Sequence, residues 1–351
     1  MSKFTGSKKA TQFTESVIRE MTRVAQQYGA VNLSQGMPDF PMPAAMKEAA
    51  IAAISGDINQ YAVTWGAKKL RHAIADKYQR RYGMPVDPDT QLTVACGATE
   101  ATASVFLALF NPGDEVIIFE PFYENYGPDA ILCEATPVFV PLIAPDWHFD
   151  ADALRRAMTP KTSAIVVNSP HNPSGHVFSR AELETIAQLA IERDLIVITD
   201  DPYEDIIFEG EHIPIATLPG MAERTVTISS LSKTFSITGW RLGYAIASPE
   251  RSVAIRKVHD FLTVGAPAPL QDAAAIGYGF PDAYYKELAD EYRARRDFLA
   301  QPLRDAGFKF AMPAGAYYFF ADFSALSTDD DVTFAKWMAR EIGVATVPGS
   351  S

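Results

Sequence analysis

Two patterns of hydrophobic and polar positions alternate through the middle of the chain. Short apolar runs rich in β-branched residues appear as QLTVA (91–95), DEVIIF (114–119), TPVFVPL (136–142), SAIVVN (163–168), LIVITD (195–200), TVTISS (225–230) and GYAIAS (243–248). Between them lie stretches with helical spacing, such as ATEATASVFLALF (98–110). A strand that is apolar at nearly every position has no solvent face, so both faces must be covered. The pattern therefore predicts an α/β fold with a mainly parallel sheet between helices, over residues 45–280. After it come an amphipathic helix over 282–305 and FKFAMPAGAYYFFADF (308–323), which reads as two strands around a Pro-Ala-Gly turn. A helix DVTFAKWMAREIG (331–343) and a short strand VATVP (344–348) follow. Residues 281–351 and the N-terminal segment 1–44 are expected to form a second, smaller α+β domain.

Composition narrows the function classes. The 351 residues are 48% hydrophobic and 21% charged, the balance of an ordinary globular protein. No apolar run approaches the ~20 residues a membrane span needs, and the basic N-terminus lacks the apolar stretch of a secretory signal. A cytoplasmic protein that does not engage membranes is expected. A net charge of −12 argues against nucleic acid as a partner, because phosphate backbones are bound by basic faces. Only Cys96 and Cys133 are present, which excludes a disulfide framework, and the six histidines show no metal-binding spacing. The basic stretch KKLRHAIADKYQRR (68–81) reads as a solvated helix face.

In open α/β sheets, ligands sit outside the carboxyl ends of the strands, and the unusual polar clusters of this chain fall at such ends. CGATEA (96–101) opens a helix; its free N–H groups and its glycine suit an anion, and its plain structural reading is a glycine turn with Thr99 as N-cap. FEPFYENYGP (119–128) brings Phe122, Tyr123 and Tyr126, of which one ring could stack on a planar group or simply plug the sheet end. NSPHNPSG (168–175) presents Asn172 from a tight turn that Asn-Pro pairs form in any case. ITDDPYEDI (198–206) ends an apolar strand on Asp200, a carboxylate that needs a cationic or protonated partner, with Tyr203 three residues on. In ISSLSKTFSITGWRLGY (228–244), Lys233 stands between Ser230 and Arg241. Alone it is a surface lysine. Together, a phosphate seat, a ring face, a carboxylate and an amine describe one ligand, pyridoxal 5′-phosphate bound to a lysine.

These stretches, with VNLSQGMPDFP (31–41) and NQYAVTWGAKKLRHAIA (59–75), run in the order of the class I/II aminotransferases of fold type I. The chain resembles that family over about residues 12–350, and within it the kynurenine, glutamine and methionine aminotransferases. The resemblance implies an amino-acid:2-oxo-acid transaminase. Lys233 would form the Schiff base and carry the proton between substrate Cα and cofactor C4′. Asp200 would pair with the pyridinium nitrogen, Tyr203 and Asn172 would bond the ring O3′, and Tyr123 would stack. Gly97, Ala98, Thr99, Ser230 and Arg241 would hold the phosphate. Tyr61 matches a position that reaches the phosphate of a neighbouring subunit, which implies a homodimer. Gly36, Asn172 and Ile18 would line the substrate side. With Ile18 where relatives often carry an aromatic residue, hydrophobic, sulfur-containing or aromatic amino acids are the expected substrates.

The family pattern continues past PGSS to an arginine that clamps the substrate α-carboxylate, whereas this sequence stops at Ser351. The smaller domain is therefore expected to be truncated, the other reading being a short form that keeps the cofactor and holds amino acids poorly. Two further functions share the motifs: a cysteine-S-conjugate β-lyase, which begins from the same Cα carbanion, and a cofactor-sensing module of a transcription regulator. The second lacks room for a basic DNA-binding region in residues 1–30.

Overall fold

The computed structural model describes residues 6–351, so the first residues of the basic N-terminus lie outside the described residues. Among the described residues ten strands follow in chain order: β1 Val31–Asn32, β2 Leu92–Ala95, β3 Glu115–Glu120, β4 Thr136–Ile143, β5 His148–Phe149, β6 Thr162–Asn168, β7 Ile196–Asp200, β8 Thr225–Ser230, β9 Gly243–Ile246 and β10 Val344–Ala345. The α-helices are α1 Val17–Tyr28, α2 Ala44–Ser55, α3 Lys68–Tyr82, α4 Ala98–Leu109, α5 Tyr126–Leu132, α6 Ala151–Ala157, α7 Arg180–Glu192, α8 Pro249–Thr263, α9 Ala268–Ala274, α10 Asp282–Asp305 and α11 Asp331–Trp337.

Eight strands form one sheet in the order β2-β9-β8-β7-β6-β3-β4-β5, parallel from β8 through β4. Strand β9 runs antiparallel to both neighbours, so its first residue, Gly243, lies at the same edge as the ends of β2 and β8. The strand alternation feeds two cores. Ile117, Phe119, Ile165, Val167 and Val197 pack on the face covered by α7, while Val116, Ile118, Val166 and Ile198 pack against α4 and α5. Period-two geometry then places Asp200, two residues after Ile198, on the α4/α5 face. Strands β1 and β10 pair in parallel, bringing the two ends of the described chain together in a separate two-stranded sheet.

Three local expectations are met only in part. The segment 308–323 does not zip into a hairpin: Lys309 and Asp322 form a single bridge. The backbone between them turns to other partners instead, with Phe208 donating to the Ala314 carbonyl at 2.7 Å and Ala314 to that of Gly175 at 2.9 Å. The helix from Asp331 keeps α-helical register only to Trp337 and continues as a wider π-turn over Met338–Ile342. And the basic helix is a solvated face only in part: Lys68, Lys69 and Arg80 are exposed, but others are not. Leu70, Ile74 and Tyr78 of α3 face the core, and the same stripe carries Arg71 and Lys77, which are 4% and 1% exposed. Helical spacing puts Lys77 and Arg81 beside those apolar positions, and their acidic partners come from more than a hundred residues away.

Candidate active site

The strand-end clusters converge at one edge of the large sheet. Gly97 precedes α4 with φ +86°, in the region that favours glycine, and a Cβ there would strike the Arg241 guanidinium. The first intrahelical bond of α4 is Ala101 N–H to the Gly97 carbonyl, which leaves the Ala98 and Thr99 N–H groups outside the ladder. Thr99 is exposed and makes no cap, so the expected Thr99 N-cap is replaced by Gly97. Arg241, itself at φ +56°, donates to the Cys96 carbonyl at 3.4 Å and so stands over this open helix start. Ser230, buried at the end of β8, accepts from the Ser232 N–H at 3.0 Å. A helix start with unpaired N–H groups, a guanidinium and a hydroxyl together make an arrangement suited to an anion.

Asp200 ends β7 deep in the protein. Its Oδ2 accepts from the Tyr126 hydroxyl of α5 at 2.6 Å, whereas Oδ1 is buried without any partner. Burial pushes its pKa up to about 6, against the Tyr126 hydrogen bond and the Lys233 charge, which both favour the carboxylate. The protonated partner expected for Asp200 is thus a phenol on one oxygen, with the second oxygen left for another group. Asp129, one turn further along α5, also keeps a buried unpaired oxygen, and burial with the nearby Asp200 charge raises its pKa to about 7.

The Lys233 amine donates to the Gly36 carbonyl at 2.8 Å. Burial and the Arg241 charge lower its pKa to about 8, with Asp200 opposing. That carbonyl also accepts from Tyr317 at 2.9 Å, and a Cβ on Gly36 would lie 2.6 Å from the Tyr318 hydroxyl. Tyr203 bonds the Tyr318 hydroxyl at 2.6 Å and its ring stands 5.9 Å from the Lys233 amine. Tyr123 is half-buried. Burial raises its phenol pKa, with a Thr99 hydrogen bond and the Arg241 charge opposing and Asp200 reinforcing, so its hydroxyl sits within the same cluster. The Asn172 N–H donates to Asn168 Oδ1 at 2.6 Å, which fixes the turn at the end of β6.

Two further residues stand outside these hydrogen bonds. Tyr61 is 84% exposed, and Ile18 is half-buried in the first turn of α1. Tyr317 and Tyr318 were legible only as an aromatic stretch near the pocket, and Tyr126 only as one of three strand-end aromatics. Their pairing with Gly36 and Asp200 needs the fold.

A family model described as aminotransferase class I and II matches residues 28–351. The chain belongs to this family. It is a pyridoxal-phosphate-dependent aminotransferase of fold type I, as the strand-end motifs implied. It is 43% identical over 343 residues to a probable N-succinyldiaminopimelate aminotransferase of Mycobacterium tuberculosis, over 97% of this chain and 86% of that relative. Escherichia coli methionine aminotransferase is 37% identical, over 97% of this chain and 88% of that protein. The solved structure of N-succinyldiaminopimelate aminotransferase from Mycobacterium tuberculosis superposes with a TM-score of 0.94 at 42% identity, covering 97% of this chain and 89% of that one. Among the described residues of the aminotransferase, no helix is long and apolar enough to cross a membrane.

On the opposite side of the Asp200–Asp205 turn lies a second set of charges. Glu204 accepts from Lys77 at 2.5 Å and Ser229 at 2.8 Å through Oε1, and from Tyr82 at 2.8 Å through Oε2. Asp205 pairs with Arg81 and accepts from Thr234 at 2.7 Å. Glu204, Ser229 and Thr234 are the immediate neighbours of Tyr203, Ser230 and Lys233.

Proposed function

We propose that this aminotransferase acts through Lys233, with Asp200 as the partner of the cofactor ring nitrogen. The observation that carries this reading is the buried, unpaired Asp200 Oδ1, a hydrogen-bond acceptor that a protonated ring nitrogen would satisfy. The residues present fit the cofactor. The α4 start, Ser230 and Arg241 would take its phosphate, Tyr123 its ring face, and Tyr203 with Asn172 its phenolic oxygen. When bound, pyridoxal phosphate supplies an aldehyde for the substrate amine and a ring that takes up the electron pair left at Cα. The protein does the rest. An amine with a pKa near 8 can both shed and accept a proton close to neutral pH, so Lys233 Nζ is suited to carry the proton removed from Cα. The Gly36 carbonyl and the rings of Tyr203 and Tyr317 restrict where that amine points.

The division into a large domain over 45–280 and a smaller one from both ends forms part of this reading, with Gly36 entering the site from the smaller part. So does a homodimer completed by Tyr61. Around it the surface is apolar: Val63, Phe261, Leu262 and Val264 are 49%, 92%, 48% and 43% exposed, and Gly265 lies against Thr64. A second copy covering this face would bury Tyr61 at the partner's phosphate.

For the amino donor we propose apolar, sulfur-containing or aromatic side chains. Tyr317, Tyr292 and Phe40 pack as one aromatic group beside Gly36, with ring centroids 5.3 and 5.5 Å apart. The 43% relative favours a second donor, N-succinyldiaminopimelate. Borohydride reduction of the cofactor-loaded enzyme followed by peptide mapping tests the core of the proposal, and a label on any lysine but Lys233 overturns it. A single-turnover screen of amino donors, read from the cofactor's absorbance, separates the two substrate readings.

A further inference from the structure

His259 of α8 is completely buried behind the start of α4. Its Nδ1 lies 3.0 Å from both carboxylate oxygens of Glu100, and its Nε2 lies 2.9 Å from the Thr64 carbonyl oxygen. Carboxylates and carbonyls only accept hydrogen bonds, so each ring nitrogen needs its own proton to hold both partners. A neutral imidazole has one; an imidazolium has two.

The two partners belong to the segments that would hold the cofactor phosphate. Glu100 Oε2 accepts the Cys96 N–H at 3.0 Å, on the turn that leads into Gly97 and lies under Arg241. Thr64 lies three residues from Tyr61, on the loop that is exposed in one subunit. That loop is pinned again where Ala67 N–H donates to Gln271 at 2.7 Å, but between Asn59 and Thr64 His259 supplies its link to the α4 start.

We propose that His259 is a positioning residue for the cofactor phosphate, tying the Tyr61 loop to the α4 phosphate seat through Glu100. The inference rests on the reading of the α4 start as that seat. Glu100 faces the ring from α4 and Asp260 from its own helix. The Thr263 hydroxyl stands 3.3 Å from Nδ1, and the Cys96 thiol lies near Glu100 and Thr263. Burial disfavours the charged ring, yet the Glu100 hydrogen bonds and charge outweigh it and hold the His259 pKa above 6.5. The double tether is therefore complete below that raised pKa. It is lost as the pH rises through the raised pKa, when one of the two acceptors is left without a donor.

The test uses the cofactor-free enzyme and pyridoxamine 5′-phosphate, which carries the phosphate but no aldehyde, so the ionisation of Lys233 does not dominate binding. Its dissociation constant is measured between pH 6.5 and 9 for wild type, His259→Gln and Glu100→Gln. His259→Gln is expected to bind about tenfold more weakly near pH 6.5, with the gap closing as the wild-type ring loses its proton. Glu100→Gln should shift that loss to lower pH. Equal affinity of wild type and His259→Gln at every pH, or a gap that does not change with pH, overturns the proposal. If His259→Gln does not fold, nitrogen-15 spectra of the wild type decide: two ring N–H protons at pH 6.5 and below are expected, and a single one there overturns it. Failure of the underlying reading looks different, since wild type would then fail to bind pyridoxamine phosphate, or Arg241→Ala would bind it as tightly as wild type.

Discussion

Asp200 and Glu204 are buried carboxylates four residues apart in one turn, and their surroundings differ in kind. Glu204, on the rear, has both oxygens engaged by an ammonium and two hydroxyls. Asp200, on the front, has one phenol and an empty second oxygen. Their titration reflects this. Burial opposes ionisation of both, but the Lys77 charge, the neighbouring His212 and Arg81 and the Lys77 hydrogen bond together outweigh it for Glu204 and hold its pKa below 4.5, whereas Asp200 is left at about 6. The rear pair therefore contributes stability above the ordinary carboxylate range, lost only as the pH falls toward Glu204's lowered value. The front carboxylate does the reverse. Between 3.8 and about 6 the folded chain holds a proton that the unfolded chain has released, so folding weakens as the pH rises through that window. Glu204 has both oxygens engaged where it supports the fold, whereas Asp200 keeps one oxygen open, as do Asp129 Oδ2 and, on the rear, His212 Nδ1 among the described residues.

The largest expected effect lies on the front face. Replacing Lys233 by alanine removes the amine proposed to capture the cofactor and move the proton, and transamination should fall by at least about 10²–10⁴-fold. Steady-state rates with a good donor measure it. Because the rear network is untouched, the urea midpoint of the cofactor-free protein should stay close to wild type. A large drop would mean that front and rear are not separable.

Next comes the rear. Lys77→Met leaves Glu204 charged in the core, and breaking a buried pair from one side costs about 3–5 kcal/mol. The double change Lys77→Met with Glu204→Gln removes both charges and should recover most of that loss, as denaturant unfolding of the three proteins would reveal. If single and double variants lose the same amount, the pair is mere packing and the comparison fails on its rear side.

Asp200→Asn should act in the opposite direction. The cofactor-free enzyme loses a carboxylate whose burial costs up to about 3 kcal/mol above pH 6, from a displacement of roughly two pKa units. Stability at pH 8 should rise while transamination collapses, and at pH 4, where the native carboxyl is already protonated, the gain should shrink toward nothing. A destabilised variant at pH 8 would show that Oδ1 is not left wanting.

Much of this contrast was readable in the sequence and part of it was not. The apolar strands are buried on both faces, so their runs, and the polar residues that end them, stand out without any structure. That is why Asp200, Lys233, Ser230 and Arg241 could be grouped. The strand carrying Asp200 also fixes its face, because Ile198 and Asp200 share a side. The rear was hidden for the same reason that the front was visible. Lys77 and Arg81 sit in a basic helical stretch whose usual fate is solvent, and their partners are 127 and 124 residues away. Nothing local says that this face turns inward. The hairpin expected at 308–323 failed likewise, because Ala314 and Gly315 bond to the Gly175 carbonyl rather than within their own segment.

The smallest effect gives the finest test of the comparison. Tyr126→Phe removes one hydroxyl from α5 and nothing from the rear, and the phenylalanine fills the same space beside Tyr123, whose ring lies 5.8 Å away. The lost bond is worth most when Asp200 is charged, since a hydrogen bond to an ionised group contributes about 1.5–3 kcal/mol and a neutral one about 1 kcal/mol. The cofactor-free variant should therefore lose more stability at pH 8 than at pH 5, and the Asp200 carboxyl should release its proton at a higher pH than in wild type. Carbon-13 spectra of the carboxyl give that pH directly. An unchanged ionisation pH, with the same loss of stability at both pH values, would assign Tyr126 to packing and leave Asp200 with no partner on the front face before the cofactor arrives.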